Sequence, residues 1–135
     1  MREILFRGKR TNNGEWVEGM PCSDLKGGVD SIQSNVGGGI FDIIPETVGQ
    51  YTGLKDKNGK KIFEGDIVEG HCHSQWSHRL QRCVVVYERD GFEARHYVMQ
   101  GGNERYYSYK VLFSKDVEVI GDIHDNPELL KGGEE

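Results

Sequence analysis

The chain has 135 residues, a length that suits one domain and one core, and its 36% apolar fraction with 19 glycines predicts many turns around a modest core. Its 22 acidic and 17 basic residues leave a net charge of −5, which argues against nonspecific binding to nucleic acid because phosphate neutralisation needs a positive field. No run approaches the roughly 20 apolar residues that span a bilayer, and Cys22, Cys72 and Cys83 form no paired disulfide framework, so a reduced cytoplasmic setting without a membrane is expected.

The N-terminal MREILFRGKR has no apolar run followed by a small-residue cleavage site. It reads instead as the first arm of a hairpin: Ile4, Leu5 and Phe6 lead through basic residues into Thr11-Asn12-Asn13-Gly14, and Trp16-Val17 begins the return. Arg2, Arg7, Lys9 and Arg10 make this end locally basic. Between Gly19 and Gly39 the periodic signal fades. Pro21, Gly27-Gly28 and Gly37-Gly38-Gly39 predict loops around at most one short strand near Ser31 to Val36.

Order returns with Ile40-Phe41-Asp42-Ile43-Ile44, a strand stopped by Pro45, which has no N–H to donate. A short strand over Val48 to Tyr51 comes next, then the turn Asp56-Lys57-Asn58-Gly59-Lys60, flanked by Lys55 and Lys61, and then Ile62-Phe63, Gly65-Asp66 and Ile67-Val68. The clearest hairpin joins Cys83 to Tyr87 with Phe92 to Val98 through Arg89-Asp90-Gly91, which sets Phe92, Ala94 and His96 on one face. Gly101-Gly102-Asn103 breaks the chain before an aromatic run, Val117 to Ile120 supplies a last strand, and Asn126-Pro127-Glu128 starts a short helix. Gly-Asp-Ile occurs at both 65–67 and 121–123, too short a match to establish a repeat.

The run YTGLKDKNGKKIFEGDIV, Tyr51 to Val68, closely resembles the signature of the YopX protein family, which is found in phages and prophages. MREILFRGKR with Gly14-Glu15-Trp16-Val17-Glu18-Gly19 is similar to that family's N-terminal hairpin, Pro45 to Gln50 leads into its signature, and VIGDIHDNPELL is similar to its C-terminus. Residues 20–44 and 69–116 match less specifically. The resemblance implies a phage-derived protein with self-association and an SH3-like barrel beginning near Gly65-Asp66-Ile67-Val68. It implies no activity and no catalytic or ligand residues, and small barrels host many unrelated functions.

The expected fold is therefore mainly β: a small SH3-like barrel with an N-terminal β-hairpin subdomain and a short C-terminal helix. One YopX-like domain over 1–135 is expected, with subdomains at 1–50 and 51–130. Within the signature, Asn58-Gly59 reads as chain reversal, Ile62 and Phe63 as core anchors, and Gly65 as a bend before Asp66. The rival reading presents Lys55, Asp56, Lys60 and Asp66 outward as a polar binding loop.

Residue types suited to chemistry gather after the signature. His71, His73, His78 and Cys83 are candidate metal ligands; on a strand His71 and His73 share a face with Cys72 opposite, but the two ligand pairs of a closed zinc site are missing. Cys72 as a nucleophile would need a histidine base, and its neighbours in a strand point away from it. Asp56 to Lys60 fails the calcium-loop pattern because Lys60 and Lys61 stand where an oxygen ligand and a glycine belong. The glycines at 37–39 lack the Lys-Ser/Thr of a phosphate-binding loop.

Arg105, Tyr107, Tyr109 and Lys110 combine base-stacking rings with phosphate-attracting charge and are the candidate nucleic-acid contacts. No cofactor motif is present, so no cofactor is expected. The leading functional expectation is a nonenzymatic accessory module that binds a phage or host protein or forms a homo-oligomer. A nucleic-acid-binding module is the second reading, and a metal-dependent hydrolase the third.

Overall fold

The computed structural model describes residues 4–23, 27–71, 80–88, 91–109 and 117–131. Strands dominate, and the chain divides into two compact units, Met1–Gly53 and Leu54–Glu135. The first unit contains β1 (Phe6–Lys9), β2 (Trp16–Ser23), β3 (Val29–Ser34), β4 (Ile40–Asp42), a 3-10 turn at Pro45–Thr47 and most of β5 (Gly49–Lys55). Its strands are hydrogen-bonded in the order β4-β3-β2-β1-β5.

The first hairpin forms where the sequence predicts it, with Lys9 opposite Trp16 and Phe6 opposite Gly19. Gly14 donates to the Arg10 carbonyl (2.9 Å) and takes φ +72°, the left-handed conformation its missing Cβ makes accessible. The weak-signal region is more regular than expected. β2 continues through Pro21 to Ser23, and β3 pairs along it with Met20 opposite Gln33 and Cys22 opposite Ser31. Pairing with β3 overrides the low strand preference of Gly19 and Pro21, and because β2 also pairs with β1 through Gly19, the expected N-terminal hairpin is the middle of a larger sheet.

Three links fasten the chain after β4 to the end of β1: Thr11 N donates to Asp42 O (3.1 Å), Ile44 N donates to Lys9 O (2.8 Å), and Arg10 bridges Ile43. Val17, Ile32 and Ile43 form the buried core beneath, with Val29, Phe41 and Val48 packed against them. Gly8 faces this core, and a Cβ there would lie 3.2 Å from Ile32 and 3.3 Å from Ile43.

The second unit begins in the last residues of β5, and the chain reverses at 56–60 into β6 (Lys61–Phe63), which is hydrogen-bonded to β5. A sheet then runs through β7 (Asp66–His71), β8 (Leu80–Glu88), β9 (Gly91–Gln100) and β10 (Asn103–Tyr109), and β11 (Glu118–Asp122) returns to pair with β7. The short helix α1 (Glu128–Lys131) follows, as the Asn-Pro-Glu signal predicts. A meander whose last strand comes back to its first has the connectivity of a small barrel. The described strands nevertheless leave the sheet open in the order β10-β9-β8-β7-β11, without the closure an SH3-like barrel implies.

Period-two alternation in β8 and β9 sends Cys83, Val85 and Ala94 into one core with Ile62, Val68, Val117 and Val119, and Phe92 packs against it. The two Gly-Asp-Ile triplets meet in this unit. Asp66 lies opposite Asp122, Ile67 opposite Gly121, and Ile123 N donates to Gly65 O (2.9 Å). The short match is thus a pair of antiparallel partners rather than a sequence repeat.

Candidate functional site

The two aspartates of the 51–68 segment serve the backbone. Asp56 is buried; its Oδ1 accepts from Asn58 N and Lys60 N (both 2.9 Å), and its Oδ2 accepts from Val119 N (2.9 Å). Burial alone would raise its pKa and is the largest single influence. The three backbone donors and the Lys60 charge together outweigh it and hold the carboxyl below its ordinary value. Asp66 is 1% exposed, and its Oδ2 accepts from Phe63 N (2.8 Å). Asp122 Oδ1 accepts from His124 N (2.9 Å) and Asp125 N (2.8 Å). Asp56 and Asp66 therefore do not face outward as a binding loop, because a carboxylate that accepts buried backbone donors is a structural fastening.

Candidates from the later segment separate in space or fall outside the described residues. His71 ends β7 opposite Leu80 in backbone register, whereas Cys83 lies in the buried core of the second unit. His73, His78 and Cys72 lie outside the described residues. Among the described residues, no three or more His, Cys, Asp or Glu side chains assemble in a set that could hold a metal ion.

Arg105 is exposed on β10, an edge strand, opposite Val98. The register sets Tyr107 opposite His96 and Tyr109 opposite Ala94, a core position. Lys110 lies outside the described residues. His96 itself donates from Nδ1 to the Arg82 carbonyl (3.0 Å), which occupies one of its ring nitrogens in holding β9 to β8.

The first unit assembles something that spacing alone does not show. Directly opposed residues share a face, so Lys9, Trp16, Glu18, Met20, Gln33 and Ile40 all lie on the side of the sheet away from Val17 and Ile32. At one end of this outer face the Arg7 guanidinium stacks 4.2 Å from the Trp16 ring centroid, and Lys9 Nζ lies 5.6 Å from it. At the other end Met20, Gln33 and Ile40 form one cross-strand row. Met20 is 52% exposed and Ile40 64%, and Val36 in the adjoining turn is 81% exposed.

Beside Ile40 opens a cleft of about 240 Å³, lined by Arg10, Thr11, Asn12, Ile40, Phe41 and Asp42. Arg10 lies 4.2 Å above the Phe41 ring centroid. The links between Thr11, Arg10 and the chain at 42–44 create this corner by carrying the Thr11-Asn12 turn against β4. Small-molecule sites usually enclose roughly 300–1,000 Å³ with mostly apolar walls. This cleft is smaller, open and polar. The basic residues before Thr11 were visible in sequence as a cluster; the contribution of Ile40 and Phe41 was not, because it depends on pairing across some thirty residues.

Fold and site together define a two-unit, mainly β protein whose first sheet carries an exposed apolar row beside a buried arginine stacked on Trp16, and no helix among its described residues is long and apolar enough to cross a membrane. The sequence profile of the YopX protein matches residues 5–131, so the chain belongs to the YopX protein family. It is also similar to a solved structure described as the crystal structure of protein EF1440 from Enterococcus faecalis. Identity is 27% and the TM-score 0.57, over 96% of this chain and 99% of the other. Comparison with curated proteins finds no match.

Proposed function

We propose that this phage-derived family member is a nonenzymatic accessory module whose first unit binds a second copy of itself through the outer face of β2, β3 and β4. The observation that carries the reading is the exposed row Met20–Gln33–Ile40, apolar at both ends and polar in the middle. A two-fold contact brings the same patch of each subunit together, with residue i against j and j against i. An axis near Gln33 sets Met20 of one copy against Ile40 of the other, and each end of the row gains an apolar partner. Stable contacts cover about 800 Å² per partner. The row alone is too small for that, so the contact also covers Val36 and the neighbouring Trp16 surface.

Sedimentation velocity across a wide concentration series tests the reading. The wild-type chain self-associates, and the Met20→Lys, Ile40→Lys double variant stays monomeric with an unchanged circular dichroism spectrum. A wild-type chain that remains monomeric throughout overturns the proposal. Salt-dependent binding of single-stranded DNA that depends on Tyr107 would instead support a nucleic-acid module.

A further inference from the structure

Met20 offers its side-chain chemistry to solvent without supporting the fold. Its backbone is held by pairing with Gln33 in β3, while its side chain lies on the face away from Val17 and Ile32 and is 52% exposed. A thioether so placed is open to oxidants, and oxidation converts this apolar side chain into a polar sulfoxide. In a free chain water solvates the sulfoxide, and the core beneath is untouched. Under a second copy its oxygen meets Ile40, which has no donor, while Gln33 Nε2 already has one of its two N–H groups engaged by the Gly38 carbonyl (3.3 Å). A polar group buried without a hydrogen bond opposes the contact that buries it.

We infer that Met20 is an oxidative modification site that switches the self-association of this face, with hydrogen peroxide or an alkyl hydroperoxide as the oxidant. The inference rests on the self-association proposed above and names its regulation. The sulfur lone pair attacks one peroxide oxygen, the O–O bond breaks and an S–O bond forms. The proton of the transferred oxygen passes to the departing one, which leaves as water or an alcohol; sulfur loses two electrons and the peroxide gains them. The two-fold contact uses Met20 of both copies, so each dimer buries two sulfoxides and the dissociation constant rises at least roughly tenfold. Conversely, a docked copy covers the sulfur, so oxidation proceeds through the dissociated chain and slows as protein concentration rises. Cys22 lies on the same face, opposite Ser31, and is partly exposed, so thiol and thioether have to be separated.

Hydrogen peroxide is added to the full chain until peptide mass spectrometry shows Met20 as the sulfoxide, and sedimentation velocity gives the dissociation constant before and after. The wild type weakens at least roughly tenfold with an unchanged circular dichroism spectrum, and Cys22→Ser responds in the same way. The two methionine sulfoxide reductases, one for each epimer, restore association when supplied with a thiol reductant; the thiol reductant alone does not. Met20→Leu, whatever its own dissociation constant, gives the same value before and after peroxide. Met20 of the wild type is oxidised more slowly above the association midpoint than below it.

If the chain carrying Met20 sulfoxide associates as before, the switch falls and the self-association reading stands. Met20→Leu that weakens on treatment as the wild type does, or recovery with the thiol reductant alone, assigns the effect to another residue and overturns the switch. So does a Met20 that survives peroxide sufficient to oxidise free methionine. A wild-type chain that is monomeric at every concentration overturns the self-association reading, and the switch falls with it.

Discussion

Replacing Asp56 with alanine removes one acceptor group that three backbone N–H groups share, those of Asn58, Lys60 and Val119. The Val119 bond matters most, because it fastens the 56–60 turn to β11 across the sequence and is buried at both ends. A hydrogen bond to a charged group contributes about 1.5–3 kcal/mol, and a buried donor left without an acceptor costs about 1–3 kcal/mol. Asn58 and Lys60 lie in an exposed turn where water replaces the carboxylate. The expected loss for Asp56→Ala is therefore about 3–5 kcal/mol, or roughly 10–20 °C in Tm for a chain of this size.

Asp56→Asn keeps one acceptor oxygen and loses about 2–3 kcal/mol. Urea denaturation monitored by circular dichroism at neutral pH measures both variants, and repeating it in acid separates charge from shape. Folding lowers the Asp56 carboxyl, so its contribution is fully present above the unfolded value of about 3.9 and is lost as pH falls through the lower folded value. The gap between wild type and Asp56→Asn narrows over that acidic window. A neutral-pH loss below about 0.5 kcal/mol, typical of an ordinary surface change, would refute this account of the turn.

Asp66→Ala is expected to unfold the second unit at physiological temperature, since it strips the acceptor from the buried Phe63 N–H at a 1% exposed position; a cooperative melt near wild type would contradict it. At Gly19, an added Cβ falls 1.8 Å from the Gln33 carbonyl oxygen, so Gly19→Ala forces β2 and β3 apart and costs at least ~3 kcal/mol. Gly14→Ala meets no neighbour and carries only the strain of its φ of +72°, about 1–2 kcal/mol, so thermal melts should rank the two variants in that order. Breaking the exposed Lys57–Glu118 ion pair (3.4 Å) with Lys57→Ala should change the urea midpoint little, by less than about 1 kcal/mol, because solvent screens it.

The Cys83-to-Tyr87 and Phe92-to-Val98 hairpin was legible because its alternation is local and its turn residues are distinctive. The second half of β2 and the start of β3 were not legible. Gly19, Pro21 and the surrounding polar residues have little strand preference, and their order comes from pairing with β3, with only Gly19 also paired to β1. Reading Asn58-Gly59 as a reversal and Ile62 and Phe63 as core anchors follows from residue chemistry alone, and the structure places them so. What sequence could not supply was the acceptor role of Asp56, whose decisive partner, Val119, lies in a different strand.

The same distinction divides the candidate sites. Arg7, Lys9 and Arg10 formed a visible basic cluster, but nothing local indicates that Trp16 receives two of them or that Phe41 receives the third. The row Met20–Gln33–Ile40 exists only through two strand registers. A histidine and cysteine cluster or an Arg-Tyr-Lys run draws attention by residue type. The outer face of the first unit consists of ordinary residues whose meaning comes from being exposed together.

Hydrogen exchange measured by mass spectrometry at protein concentrations above and below the association midpoint locates the self-association face. Concentration-dependent protection is expected in peptides covering Trp16–Ser23, Val29–Ser34 and Ile40–Asp42, with Leu80–Glu88 unchanged. Protection that does not respond to concentration, or that is confined to Asn103–Tyr109, would contradict it.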